Sequence, residues 1–148
     1  MIASSISKAP PHILEKLNYL IQVLIDGKNE YESFAGNLDD KNLQRTVLTL
    51  AQESKQYATE LSCQVEMLGG VLMAPTSNGI TSPKGKSIQP DDILLSCAAG
   101  EKKMIKAYRT VLNEPFLFDF LRQMVQYQLN GIMCAFLQLK LLTTSFHR

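Results

Sequence analysis

The chain has 148 residues, of which 45% are hydrophobic and 20% are charged, and its net charge is +1. This length is enough for one domain with a buried core, and we expect residues 1–148 to form that single domain. The nearly neutral charge gives no electrostatic case for binding nucleic acid or an anionic membrane surface.

Apolar residues recur at helical spacing in four blocks, and the first two blocks predict helices over about 13–38 and about 41–68. The turn between these helices is so short that they should run antiparallel. Asp39 or Asp40 can cap the start of the second helix, and Gly69-Gly70 can end it. No block alternates with a period of two residues, so strands are not expected.

The other two blocks predict helices over about 91–112 and about 115–142, which are joined by an equally short turn. Pro90 suits the first turn of the third helix, and Asn113 can cap the fourth. Residues 70–89 between the two hairpins are rich in Gly, Pro, Ser and Thr and are long enough to run back along a bundle. Two helical hairpins joined by one long crossover predict an all-α, ferritin-like four-helix bundle.

The sequence also bears on cellular location. The N-terminal stretch MIASSISKAPPH lacks the apolar core of a signal peptide, and the uncharged stretch from Gln123 to Leu139 is too polar for a membrane span. Cys63, Cys97 and Cys134 form no CxxC pair, and an odd number of cysteines without a secretion signal favours reduced thiols. We therefore expect a cytoplasmic protein in which Cys97 is buried and the other two thiols point away from the core.

Four stretches of the sequence carry a resemblance to a known family. They are IQVLIDGKNEYESFA, LAQESKQYATEL, QVEMLGG and AAGEKKMIKAYRTVL. In these stretches the chain resembles an uncharacterised bacterial family of ferritin-like bundles, the domain of unknown function 2383. That family is similar, more distantly, to rubrerythrins and ferritins. The likeness covers nearly the whole chain in order.

In the metal-binding relatives, the first and third helices each carry a Glu seven residues before a Tyr, and the second and fourth each carry Glu-x-x-His. The resemblance aligns Leu24 with the Glu of the first helix, seven residues before Tyr31. It aligns Ser54 and Tyr57 with the Glu and His of the second helix. On the third helix the Glu is retained as Glu101.

The remaining ligand positions also depart from the relatives. The retained Glu of the third helix stands seven residues before Tyr108, but the fourth helix carries Val125 and Gln128 instead of Glu-x-x-His. The two histidines, His12 and His147, lie at opposite ends of the chain. One carboxylate without an imidazole provides too few ligands for two irons. The resemblance therefore implies a lost metal site, with no metal and no other cofactor.

Polar residues stand near the midpoints of all four predicted helices, on or close to the inward stripes: Lys28, Ser54, Glu101 and Gln128. Midpoints of antiparallel helices meet at about the same height, so we predict a central polar layer in place of the metal. In this layer Lys28 pairs with Glu101, and Ser54 and Gln128 supply hydrogen bonds. Three tyrosines could add hydroxyl groups: Tyr31, Tyr57 and Tyr108.

Each member of this layer also has a purely structural interpretation. The aliphatic stem of Lys28 can pack while its ammonium reaches water. Glu101 can be a structural remnant satisfied by buried partners, or a group that handles protons or contacts a ligand. Tyrosines at helical spacing are more often amphipathic core residues than redox groups.

The predicted fourth helix is apolar nearly all the way round. Its face opposite the core stripe carries Phe116, Phe120, Tyr127, Cys134 and Leu141, and only three residues of the helix are charged. A helix of this kind is usually buried on both sides. We therefore expect a partner chain on the second side, most simply in a two-fold homodimer or a higher oligomer.

Three functions are compatible with these patterns. The first is a non-enzymatic protein-interaction, structural or stress-related subunit, supported by the apolar second face of the fourth helix. The second is a small-ligand carrier that uses the central polar residues. The third is a residual metal or redox protein of the ferritin-like superfamily, supported by the retained Glu101. The fold alone does not choose among them.

Overall fold

The computed structural model describes residues 9–72 and 90–144, without the side chains at 90, 91, 93 and 94. This part of the chain is all-helical, as predicted, and contains no strand. Its elements in chain order are α1 (Pro11–Gly36), α2 (Lys41–Met67), α3 (Pro90–Leu112) and α4 (Asp119–Thr144). Most of the predicted crossover, residues 73–89, lies outside the described residues.

Each helix packs against two others, as in a four-helix bundle. α1 contacts α2 and α3, and α4 contacts the same two helices. Within the described residues, the backbones of α1 and α4 do not approach closely, nor do those of α2 and α3. These two pairs therefore lie on the diagonals of the bundle.

The core is built from the predicted apolar stripes. Residues of every helix contribute fully buried side chains, among them Leu17, Leu24, Leu43, Leu61, Met104 and Phe136. Their recurrence every three or four residues places them on one face of each helix, so burying that face drives the four helices together.

The ends of α2 follow the predicted signals. The Asp40 carboxylate accepts a hydrogen bond from the backbone N–H of Leu43 at 2.8 Å, which satisfies one of the free donors of the first turn. At the other end Gly69 has a φ of 82°, a left-handed conformation that glycine adopts without steric cost.

The start of α4 was predicted wrongly. The helix begins at Asp119 rather than at about Pro115, so Asn113 is not its cap. The Arg122 guanidinium explains the difference, because it donates to the carbonyl oxygens of Leu112 and Glu114, each at 2.6 Å. These hydrogen bonds satisfy the last carbonyl group of α3. They also hold the chain in a turn, so the next helix begins only at Asp119.

The same turn is tied to the start of α1 through Glu114. This side chain is buried, and its carboxylate accepts a hydrogen bond from His12 Nε2 at 2.9 Å and pairs with the Lys16 ammonium. The hydrogen bond from Lys16 lowers the pKa of Glu114, and the nearby His12 contributes in the same direction. One ionised carboxylate thus joins the start of α1 to the turn that follows α3.

Ionisation of Glu114 should make stability depend on pH. A carboxyl whose pKa is lowered in the folded state adds stability above its unfolded pKa, about 4.3 for Glu, and loses it as the pH falls through the folded value. We therefore expect Glu114→Gln to be less stable than the native chain near pH 6, with the difference shrinking below about pH 4. Thermal unfolding followed by circular dichroism measures this. Glu15→Gln, a change of an exposed glutamate on α1, is the control, and equal pH profiles for both variants would contradict the expectation.

Candidate functional site

A buried hydrogen-bonded cluster links three helices near the middle of the bundle. Gln128 on α4 is fully buried, and its Oε1 accepts a hydrogen bond from the Tyr108 hydroxyl of α3 at 3.0 Å. Its Nε2 donates to Glu60 Oε1 of α2 at 3.0 Å and to the backbone oxygen of Tyr57 at 3.4 Å. We call these four residues the central polar cluster: Tyr57, Glu60, Tyr108 and Gln128.

Glu60 is the member that the sequence did not predict. Its side chain is half-buried, and its second oxygen accepts a hydrogen bond from Gln56 Nε2 at 3.1 Å. Glu60 stands three residues after the inward-facing Tyr57, so it lies on the edge of the stripe. This spacing from Tyr57 was the only signal of its position in the sequence.

Burial keeps the cluster tyrosines neutral. Desolvation raises the pKa of Tyr57 to about 12, and the nearby Glu53 carboxylate adds to the shift. Desolvation also raises the pKa of Tyr108, with a further contribution from Tyr57. Both hydroxyls therefore act as hydrogen-bond donors at physiological pH. Tyr57 donates to Glu53 at 3.5 Å, at the limit of a hydrogen bond.

Close packing fixes the ring of Tyr57 against α4. A Cβ atom added to Gly131 would overlap the Tyr57 hydroxyl oxygen and approach the ring carbon that carries it to 3.2 Å. Glycine at this position lets α2 and α4 approach each other where Gln128 bonds to α2.

Tyr31 lies apart from this cluster. Its ring packs edge-on against Phe136, with centroids 6.1 Å apart, and its hydroxyl faces Gly100 of α3. These two neighbours are each eight residues from the cluster members on the same helices, Gln128 and Tyr108, or about 12 Å along a helix. The Tyr31 hydroxyl is buried and has no hydrogen-bond partner among the described residues. The seven polar residues predicted to form one layer therefore occupy different levels.

The predicted ion pair between Lys28 and Glu101 is not formed. The Lys28 ammonium lies 3.2 Å from Glu32 one turn along α1, and its side chain is partly exposed. Glu101 pairs instead with Lys140 of α4 at 2.9 Å. Lys28 reaches solvent on its own helix, which was the alternative interpretation. The Glu101 carboxylate lies at the edge of α3 and pairs with an ammonium of the adjacent helix α4.

The outer face of α4 is exposed along its whole length. Phe120 and Tyr127 have 50% and 71% of their surface accessible, and Phe116 in the preceding turn has 77%. Cys134 is exposed, and the face continues with Leu137 and Leu141. We call these side chains the α4 outer face: Phe116, Phe120, Tyr127, Cys134, Leu137 and Leu141.

Residues 12–114 match the family described as Domain of unknown function (DUF2383). The chain belongs to this family. No curated protein sequence matches the chain. The match includes α1, α2 and α3, so it takes in three members of the central polar cluster and leaves Gln128 and the α4 outer face beyond its end.

In this DUF2383 chain, the residues that the resemblance aligns with iron ligands have different environments in the structure. Leu24 and Val125 are apolar and fully buried. The Ser54 hydroxyl is also buried and donates to the Leu50 backbone oxygen of its own helix at 2.9 Å. Only Glu101 offers a carboxylate, and it is already paired. In the described part of the chain, no three side chains of His, Cys, Asp or Glu converge.

The cysteines and the helices of this family member add two further facts. Cys97 is buried, and burial raises the pKa of its thiol to about 12, so this thiol stays protonated and unreactive. Cys63 and Cys134 are exposed. Each described helix is too short or too polar to traverse a lipid bilayer.

Proposed function

We propose that this chain is a cytoplasmic, ferritin-like bundle without a di-iron centre, which acts as a non-enzymatic interaction or structural subunit. Its partner surface in this proposal is the α4 outer face, and its central polar cluster serves to hold the helices in register. The most economical assembly is a homodimer, with larger assemblies built from the same contact.

The relative directions of the helices support the ferritin-like arrangement. Tyr31 lies next to Gly100, and Gly27, earlier on α1, lies next to Met104, later on α3, so these helices run in opposite directions. The bonds from the start of α1 to Glu114, beyond the end of α3, indicate the same direction.

The directions of α2 and α4 complete this picture. Gln128 bonds to Glu60, whereas Gly131 lies next to Tyr57, earlier on α2, so these helices also run in opposite directions. With α2 antiparallel to α1 across their short turn, α2 ends at the opposite end of the bundle from the start of α3. A separation of this kind is the one that a ferritin-like crossover bridges.

The substitutions at the aligned ligand positions support the loss of the metal. Leu24 and Val125 have no donor atom, and the Ser54 hydroxyl is committed to its own backbone. The polar groups near these positions bond to one another, since the Gln128 amide engages Tyr108 and Glu60. A closed network of this kind specifies the packing of the helices without reacting.

The observation that carries the proposal is the α4 outer face. Large apolar side chains follow one another along it from Phe116 to Leu141, each at least half exposed. Isolated apolar side chains on a surface need no explanation, but a contiguous patch commonly marks a protein contact. A contact between identical faces also closes the assembly, because a two-fold axis leaves neither face free.

Phe120→Asp should convert the protein from a dimer to a monomer. The native chain is expected to have about twice the chain mass of 16.5 kDa in light scattering at micromolar concentration. A carboxylate at Phe120 would be desolvated in the contact, which costs several kcal/mol. Tyr19→Asp is the matched control, because Tyr19 on α1 is 53% exposed and lies off the face. A native chain that stays monomeric, or a Phe120→Asp variant that keeps the native mass, contradicts the proposal.

A further inference from the structure

The α4 outer face contains a seven-residue repeat. Phe120, Tyr127, Cys134 and Leu141 follow one another at intervals of seven residues, and all are exposed. Gln123, Asn130 and Leu137 each stand three residues after the first three of these and are exposed as well. This is the a and d spacing of a coiled-coil seam, and the seam contains no charged residue. The inward stripe of the helix already packs in the bundle, so the seam is a second packing face.

The exposed area is of the size that a stable dimer needs. Five large side chains of the face are 50–77% exposed: Phe116, Phe120, Tyr127, Leu137 and Leu141. An aromatic side chain alone carries about 150–250 Å². The face therefore presents on the order of 600 Å², close to the roughly 800 Å² that each partner buries in a standard interface. A second copy of the chain supplies an identical seam of the same length.

We propose that two copies pair through α4 as an antiparallel coiled coil, an inference that rests on the proposed function. In an antiparallel pair, an a residue of one helix lies opposite a d residue of the other. The register that centres the seam places Phe120 opposite the partner subunit's Leu137, and Leu141 then lies near the start of the partner helix. The same register places Gln123 opposite the partner subunit's Cys134 and Tyr127 opposite the partner subunit's Asn130.

This register sorts the seam by polarity and size. Apolar residues meet apolar residues at both ends of the contact, and the polar or small residues meet each other in the middle. A parallel pair would instead stack each residue on itself, which leaves the amide layers of Gln123 and Asn130 between apolar layers. In the antiparallel pair, the positive end of each helix dipole also lies beside the negative end of the other, which is favourable.

Disulfide cross-linking of native Cys134 tests the register. In the Cys63→Ser background, the antiparallel pair separates the two Cys134 residues by about 16 Å along the helix. A disulfide requires Cα atoms within about 7 Å, so this parent should stay uncross-linked under mild oxidation. Adding Gln123→Cys places a thiol opposite the partner subunit's Cys134 and should yield a covalent dimer on a non-reducing gel. Gln52→Cys in the same background is the matched control, because Gln52 is exposed on α2 away from the seam.

The outcomes separate the register from the proposed function. A covalent dimer with Gln123→Cys, but with neither the parent nor Gln52→Cys, supports the antiparallel pair. Cross-linking of the parent through Cys134 alone would show a parallel pair and overturn the inference. A dimeric mass without cross-linking of Gln123→Cys would also overturn it, while leaving the proposed function intact. A monomeric mass in light scattering would contradict both the antiparallel register and the proposed function.

Discussion

Gln128→Ala should lower the free energy of unfolding by about 3–5 kcal/mol. The side chain is fully buried, so its removal leaves a cavity as well as the Tyr108 hydroxyl without an acceptor. Glu60 loses the donor at 3.0 Å but is half-buried and can be hydrated. Most of the loss therefore comes from the cavity and from Tyr108. Denaturant unfolding monitored by circular dichroism gives the free energy directly.

Two further variants show whether the hydrogen bond, rather than burial alone, carries this effect. Tyr108→Phe removes the other partner, so the double variant with Gln128→Ala should be more stable than the sum of the two single losses implies. Tyr31→Phe removes a buried hydroxyl that has no partner among the described residues, and it should leave stability unchanged or raise it. Strictly additive losses in the free energy of unfolding for Tyr108→Phe and Gln128→Ala would contradict a direct hydrogen bond between these two side chains.

Leu24→Glu should destabilise the protein by roughly 4 kcal/mol or more, even though the proposed ferritin-like alignment matches this position with a Glu. Leu24 is fully buried, and no described neighbour among the aligned ligand positions offers a cation. A carboxylate there is desolvated, and the ammonium of Lys28, one turn along α1, is already paired with Glu32. Leu24→Met keeps the volume and the apolar character, so it should cost less than about 1.5 kcal/mol.

Unfolding of Leu24→Glu with and without ferrous iron extends this test to the metal. A di-iron centre needs several further donors, and Ser54 and Val125 do not provide them. Iron should therefore leave the unfolding midpoint of Leu24→Glu where it was. A midpoint that returns to the native value with iron would show that the bundle retains enough ligands, against the proposed loss of the site.

The helical class and the core stripes could be predicted because they depend on local periodicity. Leu17, Leu24 and Leu43 are buried where the spacing of apolar residues placed them. The cap at Asp40 also follows from the residue type beside the helix start. The start of α4 was harder to predict, since it depends on Arg122 reaching back to two carbonyl groups across the turn.

The candidate site was less predictable because its partners come from different helices at heights that the sequence does not specify. Gln128 and Tyr108 were expected near the centre, and the structure joins them directly. Glu101 pairs with Lys140, whereas Lys28 pairs with Glu32 on its own helix. The contacts of Tyr31 with Gly100 and of Gly27 with Met104 place Lys28 and Glu101 at nearly the same height, so the sequence failed to specify the direction of these side chains rather than their level.

The hydrogen bonds of the central polar cluster all point in one direction. Tyr108 of α3 donates to Gln128 of α4, which donates to Glu60 of α2, so the chain of donors runs from a fully buried hydroxyl to a carboxylate at the surface. Reversing the Gln128 amide would set its oxygen against the Glu60 carboxylate and the backbone oxygen of Tyr57, neither of which can donate. The hydrogen bonds of the cluster therefore specify one relative position of α2, α3 and α4. The remaining helix, α1, is positioned by the packing of Tyr31 against Phe136 and by the hydrogen bond between His12 and Glu114.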